Sequence, residues 1–61
     1  MQEQPEPLSR YTLRSQFADE APEERHYDFE GNAIRLAWAL EERGCLVTVF
    51  DNQTSREVYR T

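Results

Sequence analysis

The chain has 61 residues, a formal net charge of −5 and 38% hydrophobic residues; this allows one domain at most, with a core that buries only about 60% of the unfolded surface. A single cysteine, Cys45, excludes an internal disulfide, and no apolar run approaches the roughly 20 residues of a membrane-spanning helix. The acidic balance argues against a protein that binds nucleic acid directly by neutralising phosphates and points to a basic protein surface as partner; a soluble, reduced, cytoplasmic setting with no membrane contact is the expectation.

In chain order, the polar, proline-containing start reads as a disordered tail over residues 1–8, followed by a single domain over 9–61. Leu8 to Phe17 alternates, with Tyr11, Leu13 and Phe17 on one face and Arg10, Thr12, Arg14 and Gln16 on the other, and predicts a half-buried strand. Ala18 to Glu24, with Pro22 inside it, has no period and reads as a loop. His26 to Phe29 alternates again, with Tyr27 and Phe29 on one face, and fits a short strand hairpinned to the first or an extended lead-in to a helix.

That helix, Asn32 to Gly44, is the clearest element. Ala33, Leu36, Ala37 and Leu40 fall in one stripe at helical spacing, Ile34 and Trp38 lie on its flank, and Arg35, Glu42 and Arg43 take the opposite side. Asp28, Glu30 and Asn32 suit its start, Arg43 its last turn, and Gly44 the left-handed stop. Cys45 to Phe50 is rich in β-branched residues and predicts a strand, with Cys45, Val47 and Val49 on one face. Asp51 to Thr54 carries turn chemistry. Ser55 to Arg60 closes the fold as an edge strand, with Val58 inward, Tyr59 on the other face, and Arg56 and Arg60 outward. The expected class is α+β: a small ββαββ, or βαββ, domain with a largely antiparallel sheet and one helix packed on one face.

The charge is uneven. Between Phe17 and Glu30, six carboxylates (Asp19, Glu20, Glu23, Glu24, Asp28 and Glu30) face Arg25 alone, which places the entire net charge of −5 in that segment. Two readings compete for it. A solvated loop and a helix start both favour acids without any partner; a localised acidic lobe steers a chain toward basic partners.

Catalytic, cofactor and metal chemistry find little support. His26, the sole histidine, is either an ordinary surface residue or a proton-dependent modulator of the acidic lobe. His26 and Cys45 lack the companions of a zinc site, and the acids lack the spacing of a calcium loop. Cys45 follows the helix rather than opening it, so no helix N-terminus activates the thiol. Ser15, His26 and Asp28 form a nucleophile–base–acid set on paper only. The two glycines, Gly31 and Gly44, bracket the helix and form no phosphate loop. A hydrophobic interface is a further candidate. It would use Ile34, Trp38, Phe50 and Tyr59, or in a homodimer Trp38, Val47, Val49 and Phe50, because aromatic residues concentrate at binding hot spots.

The run YTLRS, an acidic loop, HYDFEGNAIRLAWALEERG and CLVTVFDNQTSREVY resembles, over residues 10–60, the small acidic orphan proteins of phages and mobile elements. Among these are the anti-CRISPR proteins that inhibit type I interference complexes; the likeness is one of size, charge and element order. It implies a non-enzymatic inhibitor that blocks a basic nucleic-acid-binding surface by DNA mimicry, with Asp19, Glu20, Glu23, Glu24, Asp28 and Glu30 as contacts. The alternative is a small homodimeric bacterial protein of structural or regulatory role.

Overall fold

A computed structural model describes residues 9–61, so the tail expected over 1–8 lies outside the described residues. Five elements follow in order: β1 (Tyr11–Gln16), β2 (Glu23–Tyr27), α1 (Glu30–Glu42), β3 (Leu46–Asp51) and β4 (Arg56–Arg60). The strands form one antiparallel sheet in the order β2-β1-β3-β4, with α1 on one face. This is the expected α+β class, in its ββαββ form.

The register explains the core. Tyr11, Leu13 and Ser15 of β1 stand opposite Asp51, Val49 and Val47 of β3, and all six are buried. Strand side chains alternate, so these six share the helix-covered face while Thr12, Arg14, Thr48 and Phe50 point to the other. The helix contributes Ala33, Ala37 and Leu40. Alanine at 33 and 37 keeps that stripe low and lets the helix lie close on Leu13, Val47 and Val49, the largest fully buried side chains. Leu36 and Ile34 pack half-buried at the margins.

Several boundaries differ from expectation, each for a physical reason. The second strand runs Glu23 to Tyr27, three residues earlier than the HYDF reading, because register with β1 (Ser15 with Glu23, Leu13 with Arg25) overrides the poor strand propensity of Glu-Glu-Arg. Phe29 therefore leaves the sheet. It is the residue that precedes α1, and it is 70% exposed. The helix starts at Glu30, with Asn32 already inside its first turn and no side-chain cap; Arg43 is the residue that closes the helix rather than part of its last turn. Gly44 does stop it, at φ +89°. The Gly44 amide donates to the Glu41 carbonyl at 3.0 Å and the Cys45 amide to the Leu40 carbonyl at 3.1 Å, the paired bonds of a Schellman end. Ser55 has φ 58° and belongs to the turn, so β4 starts at Arg56. A β-bulge lies between the pairs Val49–Tyr59 and Phe50–Glu57, and Val58 is left without a partner across it. The bulge reverses the expected facing: Tyr59 packs toward the core and Val58 is exposed.

One polar clasp closes the sheet. The Arg10 guanidinium donates to the buried Asp51 carboxylate through Nε at 3.2 Å and Nη2 at 3.0 Å. Asp51 Oδ1 also accepts the amides of Gln53 and Thr54, which shapes the turn before β4. The Asn52 amide donates to the Arg10 carbonyl at 2.7 Å, and its side chain to the Ser9 carbonyl and the Thr12 hydroxyl. The start of β1 and the β3–β4 turn are thus one hydrogen-bonded unit. The Arg10 hydrogen bonds, aided by those from Gln53 and Thr54 and opposed by burial, hold the Asp51 carboxyl below its ordinary value. A depressed carboxylate contributes stability that is complete above its unfolded value of about 3.9 and is lost as pH falls through the lower folded value. Thermal melts should therefore show a steep loss of Tm below about pH 4. Asp51→Asn should melt lower at neutral pH and show a shallower acid limb; identical acid limbs would contradict the role given to this pair.

Candidate functional site

The six acidic residues are distributed around one edge of the sheet. β2 is an edge strand, paired only with β1. Asp19 and Glu20 lie in the turn that leads into it, Glu23 and Glu24 are its first two residues, Asp28 follows it, and Glu30 opens α1. All six are exposed. The strand itself spans about 13 Å, so the carboxylates run along its length and past both ends.

Alternation divides them between faces. Glu23 shares the helix side with Arg25 and Tyr27, and Glu24 shares the open side with His26. The segregation seen along the chain is only partly kept in space. Arg25 approaches Glu23 at 3.5 Å, an exposed pair worth about 0–1 kcal/mol. Arg14 stands directly across from Glu24. Glu20 and Glu23 line a small hollow of about 120 Å³ together with Arg25 and Arg43. Glu30 accepts a long hydrogen bond from the Tyr11 hydroxyl at 3.4 Å. Among the described residues, Asp19, Glu20, Glu24 and Asp28 make no ion pair. What projects outward is a ridge whose ends, Asp19–Glu20 and Asp28–Glu30, carry the most open negative charge, with three arginines interleaved along its middle.

Phe29 was not legible as a surface residue. It sits between Asp28 and Glu30 and is the most exposed large apolar residue described. Alternation with Tyr27 assigned it to a buried face, and only the early helix start places it outside.

The expected hydrophobic interface is not one surface. Trp38 and Tyr59 line one cleft, with Glu41 and Glu42, and Ile34 packs against the core margin. Phe50 is on the opposite, uncovered face of the sheet, where it borders Thr12, Arg14, Glu24, His26 and Asn52. Val47 and Val49, expected as dimer contacts, are buried under the helix and unavailable. The uncovered face does present Leu46, 67% exposed, beside the partly exposed Phe50.

Ser15, His26 and Asp28 do not assemble. Ser15 is buried on the helix side of β1, whereas His26 lies on the open side, its Nδ1 3.2 Å from the Thr12 hydroxyl. Asn52 donates to that hydroxyl at 2.8 Å. Cys45 is a buried thiol against the core. Among the described residues, no group of three His, Cys, Asp or Glu side chains converges as a metal site would require, and no helix is long and apolar enough to cross a membrane. Compared with protein-family models, curated protein sequences and solved structures, the chain matches none, so any function has to be argued from its own residues.

Proposed function

We propose that the protein is a non-enzymatic acidic binding module that docks the β2 edge on an Arg/Lys-lined surface and competes there with nucleic acid. In this reading it is an inhibitor of the anti-CRISPR kind, encoded by a phage or mobile element and acting in the cytoplasm. The observation that carries the reading is the exposure of all six carboxylates along a single edge strand and its flanks, with only Glu23 drawn into an ion pair among the described residues. The β2 backbone fixes the spacing of Glu23 and Glu24 and the helix start that of Glu30, and a prearranged ridge loses less entropy on docking than a flexible loop would. Phe29, standing among Asp28 and Glu30, adds an apolar anchor inside a charged rim, the arrangement of many interface hot spots. Electrostatic steering then accounts for fast association, and ionic strength should weaken it.

The test is charge reversal of Glu20, Glu23 and Glu24 to lysine, all exposed and so compatible with folding. Affinity for a purified nucleic-acid-binding partner captured at low salt should fall at least about tenfold, as three lost charge contacts of about 0.5 kcal/mol or more imply, and duplex DNA should displace the wild-type protein. Unchanged affinity, or DNA and protein bound to the partner together, rejects the mechanism.

A second reading, a homodimer of structural or regulatory role, is favoured by the uncovered sheet face and its exposed Leu46 and Phe50. A second copy would bury that apolar surface and relieve the small size of the core. Sedimentation equilibrium decides it: a dimer that Leu46→Glu dissociates supports this reading, and a chain that remains monomeric at high concentration removes it.

A further inference from the structure

We infer that the cleft between the end of α1 and β4 is a receptor for an arginine side chain presented by a partner protein. Trp38, Glu41 and Glu42 lie at positions i, i+3 and i+4 of the helix, which places them on one flank. Tyr59 of β4 completes the lining of a cleft of about 390 Å³. The indole of Trp38 is 56% exposed, far more than covering the sheet edge requires. The Tyr59 hydroxyl donates to Glu41, so one ring and one carboxylate of the lining are linked before any ligand arrives. Glu42 makes no ion pair among the described residues.

The placement of the two glutamates breaks a local rule. The last turn of a helix carries partial negative charge, which favours cations, yet the last turn of α1 holds Glu41 and Glu42 and no base. Glu41 is compensated in part by the Tyr59 hydroxyl and Glu42 is not, and such a local conflict marks a candidate functional position. An arriving cation removes the conflict.

The chemistry selects the guanidinium group. It is flat enough to stack on an exposed indole and presents N–H donors in its plane for carboxylates at the rim. An apolar occupant would leave the Glu42 carboxylate desolvated and unpaired, and an anion would be repelled. The site is independent of the acidic hairpin, because β4 and β2 are opposite edges of the sheet.

Trp38 is the only tryptophan, so its emission reports on the cleft directly. The full chain is titrated with acetyl-Gly-Arg-Gly-amide and with the same peptide bearing citrulline, a neutral isostere of arginine. The expected result is a saturable change in emission with the arginine peptide and none with citrulline. Glu42→Gln should weaken binding by about threefold while raising Tm, since it removes a charge the helix end disfavours; a Glu42 with no part in the site would raise Tm alike but leave affinity unchanged. A response that is linear and unsaturated, equal for the two peptides, or unaltered in affinity by Glu42→Gln overturns the inference.

Discussion

The pairing of β1 with β3 is the constraint on which the rest depends. These strands are not neighbours in sequence. A hairpin arm and a whole helix separate them, and an isolated two-stranded hairpin is marginal in water. Joined at Tyr11–Asp51, Leu13–Val49 and Ser15–Val47, the two hairpins become one four-stranded sheet with a continuous apolar face for Ala33, Ala37 and Leu40. The Arg10–Asp51 ion pair and the Asn52 hydrogen bonds lock one end of that junction. The carboxylate is buried and its partner half-exposed, so the carboxylate is satisfied by four donor groups rather than by strong Coulomb attraction alone.

That junction also sets where function can reside. With β1 and β3 in the middle, β2 and β4 become the edges, and each presents a different chemistry. The β2 edge carries Glu23 and Glu24 followed by Arg25, with further carboxylates just beyond both ends. The β4 edge meets the helix end at an aromatic and acidic cleft. The open sheet face is mixed: Glu24, Arg14, Thr48 and Arg60 form one row across the four strands, and Leu46 and Phe50 stand exposed beside it. Charged residues on both edges also discourage sheet-to-sheet association.

The core was readable in the sequence because two periods are strong there. Ala33, Ala37 and Leu40 recur at helical spacing, and Cys45, Val47 and Val49 alternate against exposed neighbours. Gly44 announced the helix stop because its left-handed backbone is a local requirement. What was hidden depends on distant partners. Glu23-Glu24-Arg25 has no strand signal of its own and becomes a strand only through β1. The facing of Val58 and Tyr59 is set by a bulge that no alternation rule anticipates. Glu41 and Glu42 read as helix surface, and only the approach of Tyr59 gives them a site. The charge count along the chain was sound as arithmetic, but it overstated isolation in space, since Arg14 and Arg43 come from other elements to stand beside the acidic hairpin.

The central claim is that the acidic segment is a fixed edge of the sheet rather than a solvated loop. Amide hydrogen exchange on the free chain addresses this most directly. Protection should be greatest at Leu13, Ser15, Val47 and Val49 and should extend, at a lower level, to the amides of Glu23–Tyr27 that pair with β1. Exchange throughout that strand at the rate of an unstructured peptide would contradict the account, because the carboxylates would then have no fixed arrangement to offer a partner.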